Sequence, residues 1–400
     1  MKSYKIINDP IYGFITVPRG LFLEILDHPM VQRLRRISQL GCSPLVYPGA
    51  VHTRFHHVMG AFHLMQKALS VLESKGSELS EEEKEGACLA ILLHDLGHGP
   101  FSHALEGHLL PFSHEKITKI LIQNLDEEFE GKLGIALQIF EGRYHKPFLN
   151  QLVASQLDVD RMDYLSRDSF YTGVAEGVIS YDRIILMMNT SQQQLVLEEK
   201  GIYSLEKFLT ARKLMYWQVY LHKTAVAAEK MLLSWIKRLK YLIQGGAKPP
   251  ICPHLFTLLN TRTEESNPQI WLDDYLQLDD INVLYSLKVS SRWKEDFITS
   301  ELASRILNRN LFKIELTDLP SNPDLIESRL TEVMSDLNLT REEAKYLVLE
   351  GQESNTAYRI QRDEILILKK DGQVIPYSDF PNQLVSSGQV VKYYLSYPKK

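Results

Sequence analysis

The stretch that most constrains this chain is His94-Asp95-Leu96-Gly97-His98-Gly99-Pro100-Phe101-Ser102-His103, because it closes the apolar run Ala87-Cys88-Leu89-Ala90-Ile91-Leu92-Leu93. A His and an Asp side by side at the end of a buried helix are costly unless something neutralises the carboxylate and uses the imidazole, and a divalent metal does both. Ser80 with Glu83 forms a capping-box pattern that opens the helix, and Gly97, Gly99 and Pro100 are residues that end one, so His94 and Asp95 face whatever lies beyond the terminus. The chain then turns tightly and returns His98, His103 and His114; five of its thirteen histidines fall between 94 and 114. Each alone is most simply a hydrogen-bonded core or surface residue. Clustered beside an Asp after an apolar helix, they predict a metal or phosphate site.

The remainder of the chain reads as mainly α. Residues 4 to 18 form an extended segment broken by Asn8-Asp9-Pro10 and Gly13, a helix covers about 21 to 27, and Pro29 starts another through Val31, Leu34 and Ile37. After a loop marked by Gly41, Pro44, Pro48 and Gly49, an amphipathic helix is predicted from Arg54 toward Leu72. His56 and His57 are adjacent on it, about 100° apart, so only one can point with Arg54 at a shared site. Helical spacing places Asp160, Tyr164 and Asp168 on one face with Arg161 beside them, which alone is most simply a solvated face laced with ion pairs. One long helix is predicted from about Leu205 through Tyr220 to Leu242. Beyond residue 280, helical segments near 281 to 308 and 322 to 337 alternate with the β-prone runs 311–316 and 364–368, and Asp371-Gly372 signals a hairpin. The expectation is a helical body over 1–280 and a smaller α+β lobe over 281–400.

Charge and cysteine content exclude several function classes. Lys and Arg total 45 against 50 Asp and Glu, a net charge of −5, which argues against broad nucleic-acid or membrane-surface binding. An anionic substrate then requires a local basic pocket. Cys42, Cys88 and Cys252 are odd in number and far apart, so neither a disulfide framework nor a zinc knuckle is indicated and a reducing cytoplasm fits. No apolar run approaches the ~18 residues of a membrane span.

Arg54 to His57, then His94-Asp95, then Asp160, in that order on helices, resembles the HD-domain phosphohydrolases. The strings HDLGHGPFSH and DVDRMDYLSRD are similar to the deoxynucleoside triphosphate triphosphohydrolase branch, as are QRLRRISQLG, YPGAVHTRFHH and NRNLFK; the likeness to the SAM-and-HD-domain enzymes spans nearly the whole chain without the SAM domain. The resemblance implies a helical HD-domain fold and a divalent cation (Fe, Mn, Ni, Zn or Mg) on His57, His94, Asp95 and Asp160. It further implies hydrolysis of a dNTP to deoxynucleoside and inorganic triphosphate. In that reaction Arg54, Arg161 and Arg212 contact phosphate with His98 nearby, and His103, Glu106 and His114 form the catalytic group. Glu106 stands where the family often has Asp. Tyr164 is the implied wall beneath the 2′-carbon, Gln39 and Asp168 the implied holders of the 3′-hydroxyl, and Tyr220 a pocket residue. Leu221 replaces a glutamine that lies beside the base in the related enzyme.

The resemblance also implies a GTP or dGTP effector site between subunits of a dimer or tetramer, from Asn8, Asp27, Gln32 and Arg35. An Asp can accept from guanine N1 and N2 while an Arg donates to O6 and N7; the same residues also fit a simple N-cap and surface ion-pair row. Two other functions compete. One is another HD hydrolase, acting on a monophosphate, cyclic nucleotide or alarmone; the other is a nucleotide sensor with an inert HD site.

Overall fold

The structure, a computed structural model, describes residues 4–261, 267–356, 364–381 and 389–399. It is mainly α, with three small sheets among the described residues. The chain opens on an antiparallel hairpin of strands Tyr4–Asp9 and Gly13–Pro18, paired from Tyr4↔Pro18 to Asp9↔Gly13. Asp9 Oδ1 closes the turn by accepting from the N–H groups of Ile11 (2.9 Å) and Tyr12 (3.0 Å). Helix Leu21–Asp27 lies where expected, and Pro29 opens the next helix, which ends at Arg33 and gives way to a 3₁₀ turn at Leu34–Arg36, short of the expected Ile37.

Helix Arg54–Ser74 is the centre of the body. It is amphipathic as expected: Phe55, Val58, Phe62, Leu64, Met65 and Leu72 are buried, while His56, His63, Lys67, Ser70 and Ser74 are half-buried or exposed. Those five residues recur at helical spacing along one side, which is the solvent-facing stripe of such a helix. It packs between helix Glu81–Leu93 and helix Val159–Thr172. The Glu81–Leu93 helix starts on the expected capping box, with Glu83 N–H donating to Ser80 Oγ (3.2 Å) and Ser80 N–H to Glu83 Oε2 (2.9 Å), and it ends with His94 at its C-cap. The Val159–Thr172 helix is capped by Asp158, whose Oδ1 accepts from Arg161 N–H at 2.7 Å, and stops at Gly173 in the left-handed region, φ 75°. Three helices thus meet with His57, His94 and Asp160 at their junction.

The single long helix predicted from about 205 to 242 is in fact two. Helix Ile202–Met215 runs into a π-helical turn at Tyr216–Tyr220, the chain breaks at Leu221, and helix Lys223–Gln244 restarts with His222 Nδ1 accepting from Thr224 N–H at 3.2 Å. Periodicity cannot register one extra residue in a turn, and such bulges concentrate at functional sites. Here the bulge carries Tyr216 and Tyr220 to the wall of the cavity described below.

The C-terminal third holds an antiparallel sheet in the order Lys313–Thr317, Gln389–Tyr397, Leu349–Thr356. The Asp371-Gly372 turn joins strands Leu366–Leu368 and Val374–Pro376, with Gly372 at φ 85°. Residues on both sides of the expected 280/281 boundary share a sheet, because Leu366–Leu368 pairs in parallel with Gln194–Glu198, itself paired with Met188–Ser191. At the end of the 1–280 part, the Asp280 carboxylate accepts from Ser38 N–H (2.9 Å) and Phe101 N–H (2.8 Å). The three cysteines are buried and free, and no described helix is long and apolar enough to cross a membrane.

Candidate active site

His57, His94 and Asp160 bring three ligand atoms to within 4.8 Å of one another. Asp160 Oδ1 lies 3.0 Å from His57 Nε2 and 3.5 Å from His94 Nε2, and Asp95 approaches the same imidazoles at 3.8 and 3.4 Å. His57 Nδ1 faces Asp163 Oδ2 at 2.7 Å, and His94 Nδ1 faces the Ile91 carbonyl, also at 2.7 Å. Both partners only accept, so each Nδ1 carries the hydrogen and each Nε2 presents a lone pair to the junction. His56 turns away to cap its own helix against Thr53, which leaves His57 as the inward imidazole.

The electrostatics of this group ask for positive charge. Burial pushes the His57 imidazole down, yet hydrogen bonds with Asp160 and Asp163 outweigh it and hold it at about 10. Burial likewise opposes charge on His94, whose pKa the neighbouring Asp95 and Asp160 raise. Against the upward push of burial, the two histidines hold the Asp160 carboxyl far below the usual range, and Arg54 with His94 does the same for Asp95. Two inward lone pairs and two carboxylates fit a divalent cation; nitrogen and oxygen donors without a thiolate admit several metals. A bound cation supplies a Lewis acid and an acidified water.

A second set of imidazoles stands on the loop after His94. Glu106 orders it: Oε2 accepts from His103 Nδ1 (2.7 Å), and Oε1 from His114 Nδ1 (2.6 Å) and His114 N–H (2.9 Å). These bonds overcome burial and hold the Glu106 carboxyl far below the usual range. Both rings are thereby held through Nδ1, and His114 Nε2 lies 3.5 Å from Glu115 Oε1. His98 stacks on His114 with centroids 3.9 Å apart and sits 3.3 Å from Asp95 Oδ1, while His103 remains 66% exposed. Phe101 and Ser102 take positive φ of 56° and 53°, an unusual pair for residues with side chains and a mark of a constrained loop.

His94, Asp95, Asp160, His98, His103 and His114 line a cavity of about 620 Å³, large enough for a nucleotide. Asp160, Arg161, Tyr164 and Asp168 form one wall along a single helix, so the face expected by default to be solvated faces the cavity. Tyr220 donates its hydroxyl to Asp168 Oδ2 (2.7 Å), His52 Nε2 lies 2.7 Å from Asp168 Oδ1, and the Tyr164 and Tyr220 rings meet edge-on at 6.1 Å. Gln39 lines the opposite side with a buried Oε1 that has no partner. Arg54 reaches the cavity but is tied to Asp95 Oδ2 (2.6 Å) and Ser102 Oγ (2.9 Å), and Arg161 donates to the Ser155 carbonyl (2.8 Å). Arg212 does not line the cavity; it is partly buried, in electrostatic contact with Tyr164 and Arg161, with Nε and Nη1 unpartnered.

The four residues expected to bind an effector lie outside this cavity. Gln32 Oε1 accepts from Arg35 Nε (2.8 Å), Arg35 stacks on the Phe55 ring at 3.6 Å, Asp27 lies 3.8 Å from Lys5 Nζ, and Asn8 pairs with Phe14 in the hairpin.

Several site residues escaped the sequence reading. Asp163 and Arg167 sit inside the quoted 158–168 motif, where the spacing Asp160, Asp163, Arg167 was a usable signal; His52 and Asp9 carried none. Glu229 and Lys230 line the cavity from helix Lys223–Gln244, and Lys230 Nζ pairs with Glu353 Oε1 at 2.6 Å.

Residues 54–168 match the family described as HD domain, and residues 179–246 match the HD associated region. A crystal structure of a phosphohydrolase from Bacteroides thetaiotaomicron superposes with a TM-score of 0.94 at 46% identity, covering 99% of this chain and all of that one. The uncharacterized protein YwfO of Bacillus subtilis is 31% identical over 94% of this chain and 87% of its own length. Human SAMHD1, named a deoxynucleoside triphosphate triphosphohydrolase, is 28% identical over 86% of this chain, which spans 62% of that protein. The order of motifs, the junction of three helices and these likenesses agree: the chain belongs to the HD-domain phosphohydrolases.

Proposed function

We propose that this protein uses a divalent metal to hydrolyse deoxynucleoside triphosphates to deoxynucleoside and inorganic triphosphate. The observation that carries this is the single helix face on which Asp160, Tyr164 and Asp168 succeed one another, so that a sugar-sized aromatic wall begins one turn from the metal group. His57, His94, Asp95 and Asp160 hold the metal. Arg161 and His98, with Arg54 and Arg212 behind them, balance the triphosphate charge. Water attacks the α-phosphorus, the bond from phosphorus to the 5′-oxygen breaks, and His103, oriented by Glu106 beside His114, protonates that oxygen. Tyr164 excludes a 2′-hydroxyl, Gln39 and Asp168 take the 3′-hydroxyl, and Tyr220 braces Asp168. The 1–280 core carries the chemistry, while Glu353 and Ser354 of the 281–400 lobe complete the cavity wall.

Metal-loaded protein incubated with each dNTP and NTP should release inorganic triphosphate from dNTPs alone. Release of orthophosphate or of a nucleoside monophosphate identifies another HD reaction, and binding without turnover identifies a sensor. A guanine nucleotide seated on Asn8, Asp27, Gln32 and Arg35 is the proposed activator, acting by tighter binding to a larger oligomer. GTP should then stimulate dNTP hydrolysis and raise the sedimentation coefficient, both effects being lost in Arg35→Ala.

A further inference from the structure

The hairpin that opens the chain reaches the metal group through buried charges. Asp9 Oδ2 accepts from Arg167 Nη1 at 2.8 Å. Arg167, with no exposed side-chain surface, turns its other nitrogens on Asp163, Nε to Oδ2 at 2.9 Å and Nη2 to Oδ1 at 2.8 Å. Asp163 Oδ2 then accepts from His57 Nδ1 at 2.7 Å. The central helix is shaped around this set. A Cβ at Gly60 would lie 1.9 Å from Asp163 Oδ1 and 2.2 Å from Arg167 Nη2, so only glycine admits the pair.

Two carboxylates and one guanidinium leave one net negative charge beside a metal-binding imidazole. That charge polarises the His57 Nδ1–H bond and makes Nε2 a stronger donor to a cation. Replacing Asp9 by Asn retains an Oδ1 acceptor for Ile11 and Tyr12 but removes the charge, so Arg167 neutralises Asp163 fully and the pull on His57 falls. We propose that Asp9 is a positioning residue for the metal ligand His57, acting through Arg167 and Asp163, so that docking of the N-terminal hairpin and binding of the metal strengthen each other. The coupling rests on the metal assignment and not on the substrate, so failure with every nucleotide would leave its test readable.

The test is titration of chelator-stripped protein with Mn²⁺. Asp9→Asn should raise the Mn²⁺ Kd on the order of tenfold, and in an Asp163→Asn background the same change should add less than about twofold, because its route is already cut. Val17→Ala trims the same hairpin at a buried position away from these charges, leaves it docked with Asp9 on Arg167, and should leave the Kd unchanged. An Asp9→Asn Kd within about twofold of wild type overturns the proposal, as does equal weakening by Val17→Ala, since loss of packing alone would then explain it. Should Asp9→Asn fail to fold, wild-type hydrogen exchange decides instead. Reciprocity requires Mn²⁺ to slow exchange of the hairpin amides, and identical rates with and without the ion overturn the coupling.

Discussion

His57 Nε2 and His94 Nε2 face each other at 3.4 Å, and each ring commits its Nδ1 hydrogen to a fixed acceptor behind it. Two lone pairs pointed together repel unless a proton or a cation lies between them. Asp160 Oδ1, 3.0 Å from one and 3.5 Å from the other, adds negative charge at the same point. In the metal-free protein the proton that His57 holds lies there, and a divalent cation would take its place.

His94→Ala should accordingly abolish stoichiometric metal binding and turnover together, while the metal-free variant loses little stability because one of the opposed imidazoles is gone. Asp95→Ala should also lose the metal but unfold more easily, since Arg54 is left buried without its carboxylate partner, at a cost of about 3–5 kcal/mol. Metal analysis and thermal melts on the chelated proteins separate the two. Full metal occupancy in either variant would remove these ligands from the site.

His103 differs from the proposed ligands in being exposed on one side and held by Glu106 on the other. His103→Ala should keep metal and nucleotide binding but lose on the order of 10²–10⁴-fold in turnover, the range for a general acid. A loss appearing wholly in KM would pass the role to His114, which Glu106 grips as firmly.

The parts of this site legible in sequence were those whose chemistry is local. His94 and Asp95 ended an apolar helix, the Ser80 and Glu83 cap repeated its pattern in the structure, and Asp160, Tyr164 and Asp168 shared a face by spacing alone. The π-turn at Tyr216–Tyr220 was illegible because one added residue leaves the composition helical. The amphipathic pattern of the central helix was legible although two of its polar residues, Arg54 and His57, lie buried among charged partners contributed by distant segments, which no local pattern shows. Asp9 and His52 act only through residues more than a hundred positions away, Arg167 and Asp168, and no local pattern encodes that. The pairing of Leu366–Leu368 with Gln194–Glu198 was hidden for the same reason.

Tyr164 is the residue on which the choice between deoxyribose and ribose is expected to turn. Its ring lies 6.5 Å from that of His57 and 6.1 Å from that of Tyr220, so it has little room to move aside. Tyr164→Ala should raise relative hydrolysis of GTP over dGTP on the order of 10–100-fold, the scale on which pocket walls discriminate a single hydroxyl. A wild-type protein that already cleaves GTP as fast as dGTP would show that this ring is no such wall.

Glu229 gives the cavity a pH dependence that owes nothing to the metal ligands. Burial pushes its carboxyl up to about 7, Lys230 opposes the shift, and Glu353 reinforces it. The unfolded chain has an ordinary glutamate near 4.3, so between those two values the folded protein binds more protons than the unfolded one, and stability falls as pH rises through the window. Above pH 7 the penalty is complete, and below about pH 4.3 it is absent. Glu229→Gln carries no such charge and should therefore gain on the order of 3–4 kcal/mol over wild type at pH 8, with the gain shrinking steadily toward pH 5. Denaturant melts of both proteins across that range measure the difference directly. An equal gain at pH 5 and pH 8 would mean that the substitution acts through packing and that Glu229 titrates like an exposed acid.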